Sequence, residues 1–229
     1  MRAYYLILLF TLASTVAQAQ EGPFALPQGL LIEGTLPIGR GFQELVIFQT
    51  TTGEDATVSP GGGVGFQLGA AYYTAQKFQV ALYLGAHISE LSPTLDNAHA
   101  TFRRFTLIPE VRYPLQVAPG HHITLGAGYG MYMGGRLYID ASEVFGIESI
   151  SRYATAFGPH FQAEYQTSSS ERDAIGIGLR GYGLTYANPT TTLNGVEVPT
   201  SPEPVLNGGG IELYLRIGFM VGGKEEVAE

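Results

Sequence analysis

The chain has 229 residues, a formal net charge of −8 and charged residues at only 14% of its length, against roughly 25% in a typical soluble domain. The acidic balance argues against a nucleic-acid partner, because phosphate binding needs a basic surface. The lack of cysteine excludes disulfides, thiolate metal ligands, cysteine nucleophiles and a lipid-anchoring cysteine. Few charges beside 31 glycines and 14 tyrosines suit a barrel wall that faces lipid better than a surface in water.

Residues 1–19 have the pattern of a secretory signal peptide. Arg2 gives a positive start, an apolar run YYLILLFTL follows, and small residues end in Ala17-Gln18-Ala19, an A-x-A cleavage site. The apolar run is shorter than the roughly 20 residues of a membrane-spanning helix. The rest of the chain offers no other run of that length, so it can enter a membrane only as a closed barrel.

The remaining chain alternates apolar residues with small or polar ones at a period of two, which indicates β-strands. Several segments reach the roughly 9–11 residues that cross a bilayer as a tilted strand. The third segment shows the pattern best, with Phe78, Val80, Leu82, Leu84, Ala86 and Ile88 on one face. The eight segments are approximately 29–38, 63–75, 78–89, 103–114, 121–133, 153–166, 173–186 and 209–221.

The connections between these segments alternate in length. They are short after the second, fourth and sixth segments and long after the others, at about 39–62, 90–102, 134–152 and 187–208. Short turns on one side and long loops on the other are typical of outer-membrane barrels. We therefore predict an all-β fold, an eight-stranded antiparallel up-and-down transmembrane β-barrel, over residues 20–221, with a polar tail at 222–229. An apolar stretch within 42–52 leaves open an added hairpin, and hence ten strands.

A soluble β-barrel or β-sandwich would alternate in the same way. Its second face would have to suit water, whereas here that face is mainly Gly, Ala, Tyr, Thr and His with roughly one charge per strand. A lipocalin would need an early Gly-x-Trp, and the chain has no Trp. The second face suits a narrow lumen, because eight strands leave just enough room for side chains to fill the interior. Glycines such as Gly176 and Gly178 would make space there for larger neighbours.

Five stretches carry a resemblance to known proteins: GFQLGAAYYTAQKFQVALYLGAHIS, FTLIPEVRYPL, ITLGAGYGMYM, IGIGLRGYGLTYANP and the closing IELYLRIGF. They resemble the small outer-membrane barrels of the OmpA-transmembrane-domain and OmpX type, and still more the proteins described as outer membrane protein β-barrel domain or porin-family protein. The resemblance covers nearly all of the mature chain. It implies a place in the outer membrane of a Gram-negative-type bacterium, and a barrel-assembly machinery and outer-membrane lipids, including lipopolysaccharide, as partners.

Strand parity places seven charged side chains in the lumen. The first, seventh and eighth strands are neighbours in a closed barrel, so we predict one network of Glu33, Arg180, Glu212 and Arg216. A second network, nearer the short turns, comprises Glu110, Arg112 and Glu164. Charges in a narrow lumen must pair, because each unpaired one costs several kcal/mol. We expect a salt-bridged plug that fixes the strand register; the alternative is a gated ion path.

Other motifs that could carry chemistry have structural explanations. The Gly-x-Gly-x-x-Gly pattern at 176–181 lies inside a strand with no helix after it, unlike a dinucleotide site. His87-Ile88-Ser89 resembles the His-x-Ser of lipid A deacylase barrels, but parity turns it to the lumen and Glu90 replaces the family's Asn. His121 and His122 point to opposite faces of a strand, so they cannot bind one ion together. We expect no catalytic residue, cofactor or metal.

We expect the long loops to form the binding surface, since binding residues concentrate on loops held by a rigid scaffold. The fourth loop contains Leu193-Asn194-Gly195-Val196, which reads as a hairpin turn. The sequence thus favours a non-enzymatic outer-membrane barrel that acts in envelope structure, or in adhesion or binding to an extracellular ligand through its loops. The alternatives are a narrow pore for ions or small solutes and a lipid A-modifying enzyme.

Overall fold

The computed structural model describes residues 29–74, 78–168, 173–199 and 205–221. The predicted signal peptide, the tail at 222–229 and the turn at 75–77 lie outside these ranges. Eight long strands form the body of the molecule: β1 Leu30–Gly41, β2 Gly63–Tyr73, β3 Gln79–Glu90, β4 His99–Ala118, β5 His121–Ala141, β6 Ala156–Thr167, β7 Asp173–Tyr182 and β8 Gly210–Val221.

The eight strands close into a ring. Each pairs antiparallel with the next in the chain, and β8 pairs with β1 in a register that sets Leu36 opposite Leu215. The prediction of an eight-stranded antiparallel up-and-down barrel is confirmed. Because the ring is closed, each of the eight strands is paired on both sides. A strand inside a bilayer needs this, since no water is available there to hydrogen-bond with its backbone.

Side-chain parity divides the wall into an apolar outer face and a polar inner face. On β7, Ile175, Ile177 and Leu179 point outward with about half of their area exposed, at 48%, 51% and 56%. Similar outward side chains occur on every barrel strand, including Ile38, Leu68, Leu84, Phe105, Leu125, Phe161 and Phe219. A continuous exposed apolar belt of this extent is unfavourable in water. It is the lipid-facing outer wall of a barrel that spans a bilayer. Within the described ranges, no helix is long and apolar enough to span a membrane.

Two strands are much longer than predicted. β4 has 20 residues and β5 has 21. The corresponding segments predicted from apolar alternation are 103–114 and 121–133. Beyond the belt the ladder continues toward the long-loop end, but its outward side chains become polar, as at Arg103 and Arg136. The strand therefore continues where the hydrophobic signal stops.

The long loops add regular structure above the barrel. Strands Leu45–Gln49 and Asp55–Val58 form a separate hairpin, so the stretch at 42–52 does not raise the barrel count to ten. The upper part of β5 pairs with Ile147–Arg152, which pairs with Thr190–Leu193, which pairs with Val196–Val198. We call this sheet the platform. A one-turn helix, α1 (Ser142–Phe145), joins its first two strands.

The turn predicted in the fourth loop is confirmed. Asn194 and Gly195 link the last two platform strands with φ of 48° and 78°. Two successive positive φ values are the geometry of the two-residue turn that fits the twist of a hairpin. Asn194 also fixes the turn to the rest of the platform, because its side chain accepts a bond from the Glu148 backbone N at 2.7 Å and donates to the Gly146 carbonyl at 2.9 Å.

Candidate functional site

The inner face of the barrel holds eight charged side chains, four glutamates and four arginines, each at most 3% exposed. Seven of them are the residues that parity placed in the lumen: Glu33, Glu110, Arg112, Glu164, Arg180, Glu212 and Arg216. The eighth, Arg104 on β4, was missed. It shares the parity of Glu110 and Arg112, so alternation along the strand could have found it. Arg104 equalises the number of carboxylates and guanidinium groups in the lumen.

A lower network, closer to the short turns, joins strands that are not neighbours. Arg112 on β4 crosses the lumen to Glu33 on β1, where its Nη2 and Nη1 donate to the two carboxylate oxygens at 2.8 and 3.1 Å. This is a two-pronged pairing, the strongest type of carboxylate contact that arginine makes. Tyr83 on β3 also donates to Glu33. One carboxylate of β1 is thus held by both β3 and β4.

Arg216 on β8 lies at the centre of the lower network. Its guanidinium nitrogens lie 3.2 Å from Glu164, 3.8 Å from Glu33 and 3.8 Å from Glu110. The same guanidinium lies between the rings of Tyr83 and Tyr214, with its carbon 5.2 Å from each centroid. None of its nitrogens makes a hydrogen bond to a described residue. Arg216 is therefore held by surrounding charge and ring faces rather than by directed bonds.

Glu110 on β4 connects the lower network to β6, with β5 between the two strands. Its Oε1 accepts a bond from Gln162 Nε2 at 3.0 Å, and its Oε2 lies 3.1 Å from His160 Nε2. The Gln162 carbonyl in turn accepts from Arg180 Nη2 at 3.2 Å. Gln162 is thus the polar bridge between the lower network and a second, upper one.

The upper network surrounds Glu212. Its carboxylate lies 3.3 Å from His87 Nε2, 3.6 Å from Arg104 Nη2 and 3.7 Å from Arg180 Nη1. Arg180 also donates to Gln67 Oε1 on β2 at 2.9 Å. This grouping differs from the predicted network of Glu33, Arg180, Glu212 and Arg216. Both Glu33 and Arg216 lie in the lower network, and only Arg180 and Glu212 are together. Arg216 lies four positions from Glu212 along β8, a distance of roughly 13 Å. Parity tells which face a side chain lies on but not its position along the barrel axis.

Arg104 ties the upper network to the loops that cover the barrel. Its Nη1 donates to the carbonyls of Pro60 and Gly208 at 2.9 and 3.0 Å. Its Nη2 donates to Tyr182 Oη at 2.5 Å, and Tyr182 donates to the Gly61 carbonyl at 2.6 Å. The first and fourth long loops are thus fixed over the upper end of the lumen.

Apolar clusters close both ends. Toward the short turns, Leu31, Ala71, Tyr73 and Ala81 pack inward with Met220 against them. Toward the long loops, a larger cluster combines inward residues of the strand ends with loop residues: Ala56, Val58, Leu91, Ala100, Phe102, Tyr132, Leu137, Ala156, Tyr182, Leu184, Tyr186 and Leu206. The cavity beside Arg104 and Glu212 is too small to admit a water molecule. Around Arg104 and Glu212 the lumen is filled by side chains.

Lumen glycines provide the space for this packing. A Cβ on Gly176 would lie 2.2 Å from Glu164 Oε1, and one on Gly178 would lie 2.5 Å from the Tyr214 hydroxyl. Gly176 and Gly178, two of the three glycines in the Gly-x-Gly-x-x-Gly pattern, therefore make room for the buried side chains of Glu164 and Tyr214. Both glycines lie within β7, where a dinucleotide site would need a strand followed by a helix.

The His87–Ser89 pair also belongs to the interior. Each side chain is 5% exposed. His87 Nδ1 lies 2.8 Å from Arg104 Nη2 and must accept, since a guanidinium can only donate. Ser89 Oγ accepts from the Ser59 backbone N at 3.3 Å. Neither group faces lipid, where an acyl substrate would lie. Among the described residues, no cluster of three or more His, Asp or Glu could hold a metal ion.

Solved structures of similar shape are outer-membrane barrels. Neisserial surface protein A (NspA) aligns at a TM-score of 0.53 and 11% identity over 84% of this chain and 97% of that one. The outer membrane protein OprG from Pseudomonas aeruginosa aligns at a TM-score of 0.55 and 13% identity over 85% and 98%. The fold is that of a small outer-membrane β-barrel. No protein-family model and no curated protein matches the sequence, so the likeness concerns architecture.

Proposed function

We propose that this protein is a non-enzymatic, integral outer-membrane barrel with a closed lumen, which holds a rigid binding platform outside the cell. The ties across the lumen carry the proposal. Arg112 to Glu33, Arg104 to Glu212 and Arg180 to Gln67 each connect strands on different sides of the barrel. A path for ions would have to break these contacts and pass the apolar clusters at both ends.

The platform supports a role in binding. Around its outer tip, apolar side chains are exposed without lipid to cover them, namely Val144, Phe145, Ile147, Leu193 and Val196, of which Phe145 is 64% and Val196 67% exposed. Asn194 holds α1 and the hairpin tip together. Acidic side chains adjoin this patch in sequence, including Glu143, Glu148 and Glu197. A rigid apolar patch with polar neighbours is typical of a protein–protein contact.

Conductance tests the closed lumen directly. Folded wild-type protein in a planar bilayer should give no steady channel, because the ties and end clusters leave no continuous water path. The double variant Tyr83→Ala/Arg216→Ala removes two large inward side chains but leaves these ties and the end clusters in place, so it should also stay silent if it folds, as checked by heat-modifiable gel mobility. Leu215→Ala, on the outer face of β8 beside Arg216, is the control for folding and should stay silent. A steady, large wild-type conductance would refute the closed lumen and favour the narrow pore.

Adherence tests the platform. Cells that display the wild-type protein should adhere to a protein-coated surface better than cells that display Phe145→Ser/Val196→Ser. Thr192→Ser, on the same hairpin, is the control for surface display. Equal adherence of wild type and double variant would refute binding through this patch, while leaving the closed lumen untouched.

A further inference from the structure

The outer face carries an unpaired row of three arginines. Arg103 on β4 lies directly opposite Arg136 on β5, and Arg136 lies directly opposite Arg152 on the platform strand 147–152. Directly opposed residues of antiparallel strands have Cβ atoms about 5 Å apart, and like charges there are destabilising. A row of this kind lowers stability unless an anion offsets it. We call these residues the arginine row.

The row is not neutralised within the protein. All three side chains are exposed, and among the described residues none of them forms an ion pair. The other exposed arginine in the described ranges, Arg40, pairs with Glu44 at 2.6 Å. On the same face the nearest acidic side chains along the strands are Glu90, Asp140 and Glu148, all toward the loop tips. Asp140 is engaged by Ser142 and Tyr138. Arg136 has an aromatic contact, with its guanidinium carbon 5.8 Å from the centroid of the Tyr138 ring, which leaves its charge in place. The arginine row is therefore a concentrated positive charge with no bound carboxylate among the described residues.

The row lies at the upper border of the apolar belt. Along β4 the outward residues below Arg103 are Phe105, Leu107 and Pro109, and along β5 those below Arg136 include Met133 and Met131. In a barrel that spans a bilayer, this is the level at which acyl chains end and headgroups begin. The charge therefore faces the headgroups of the outer leaflet rather than bulk solvent.

An apolar groove adjoins the row from below. It encloses about 580 Å³ and opens outward. The small residue Ala86 lies in register between Phe66 on β2 and Phe105 on β4. The two phenylalanine side chains therefore form the sides of the groove, and Ala86 forms its base. Ile88, Arg103 and Arg136 line its upper part. A groove of this shape suits an acyl chain whose charged headgroup lies at the guanidinium groups.

We propose that the arginine row and this groove form a binding site for a phosphorylated amphiphile of the outer leaflet. The phosphate would be held by Arg103 and Arg136, with Arg152 adding charge, and one acyl chain would lie over Ala86 between the two phenylalanines. Guanidinium groups suit this role, because they remain charged and bind phosphate oxygens in pairs. The site goes beyond the proposed function in that neither the closed lumen nor the platform patch requires it. The site rests on one part of the proposed function, the outer-membrane location, because that location supplies the lipid.

Lipid binding in detergent tests the site apart from that location. The folded full-length protein in dodecyl maltoside, which contains no phosphate, is titrated with bisphosphorylated lipid A, with the same lipid after removal of both phosphates, and with inorganic phosphate. Bound lipid is counted by native mass spectrometry. Each arginine near an anionic lipid surface contributes about fivefold in affinity, so Arg103→Gln/Arg136→Gln should weaken binding of the bisphosphorylated form by more than about tenfold.

Matched variants separate headgroup from acyl recognition. Arg40→Gln removes the same charge from the outer face of β1 and should leave the affinity unchanged. Ala86→Leu raises the groove floor, and should weaken lipid A binding with the arginines intact. Equal binding of wild type and the double arginine variant would overturn the site, as would equal binding of the dephosphorylated lipid. Inorganic phosphate that binds as tightly as lipid A would overturn the groove. Gel mobility confirms folding of each variant, and failure of the protein to reach the outer membrane would not alter these affinity ratios.

Discussion

Arg112 and Glu33 belong to strands that do not pair, yet their side chains meet across the lumen through two hydrogen bonds of 2.8 and 3.1 Å. Two strands, β2 and β3, separate β4 from β1 on the shorter way round the ring. The contact therefore acts as a strut, because it fixes the distance between two parts of the wall that the backbone ladder does not join directly. Its strength depends on both partners, since either one alone would be a buried, unpaired charge.

Arg112→Ala should lower the free energy of unfolding by about 3–5 kcal/mol, because it leaves Glu33 buried with fewer partners. Urea unfolding in lipid vesicles, followed by tyrosine fluorescence, measures the loss. Arg40→Ala, which breaks the exposed pair with Glu44, is the control and should cost less than about 1 kcal/mol. The double variant Glu33→Ala/Arg112→Ala should lose less than the sum of the two single variants. Additive losses would show that the strut does not couple the two sites.

Gly178→Ala should destabilise the barrel, because its new methyl group would lie 2.5 Å from the Tyr214 hydroxyl. Overpacking of this kind costs about 1–3 kcal/mol. Gly181→Ala, on the same strand, is a matched control, since a Cβ there meets no atom within 4 Å. The same urea titration compares the two. Equal stability of both variants would mean that the lumen yields at Tyr214 and is less tightly packed than the structure shows.

The sequence predicts the barrel well, because lipid on one side and a narrow interior on the other impose strict alternation. It also places Glu33 and Arg112 on the inner face, but not in contact. That contact depends on the register of three intervening strand pairs, which parity does not give. Arg104 was missed because it lies beside Arg103 at the start of the predicted segment. Only the parity of the residues that follow shows that Arg104, and not Arg103, turns inward. The upper part of β5, 134–141, was missed because its outward face, at Arg136, is no longer apolar, and β4 extends four residues beyond each end of its predicted segment.

The α1 turn should be sensitive to acid. Asp140 Oδ1 accepts from the Ser142 hydroxyl at 2.7 Å and from the Ser142 backbone N at 3.0 Å, and these hydrogen bonds lower the pKa of Asp140. A carboxylate with a lowered pKa contributes stability that is complete above its unfolded pKa of about 3.9 and is lost as the pH falls through the lowered value. The NMR shift of the Ser142 amide should therefore stay constant down to about pH 4 and change below it. Asp140→Asn should abolish this step, and a midpoint at or above the ordinary value would contradict the assignment.

Arg104 should decide whether the loops stay closed over the barrel. Arg104→Met keeps much of the side-chain volume but removes the donors that bind the carbonyls of Pro60 and Gly208. It also takes a cation from Glu212, so the free energy of unfolding should fall by about 3 kcal/mol. The local effect is the sharper test: hydrogen exchange at the Gly62 and Gly208 amides, which bond to Ser59 and Leu184 carbonyls, should accelerate more than exchange within the barrel. Arg103→Met is the matched control, because the neighbouring side chain points outward and forms no ion pair among the described residues. Similar acceleration in both variants would show that the loops are held by their apolar cluster alone, with Arg104 serving only to balance the lumen charge.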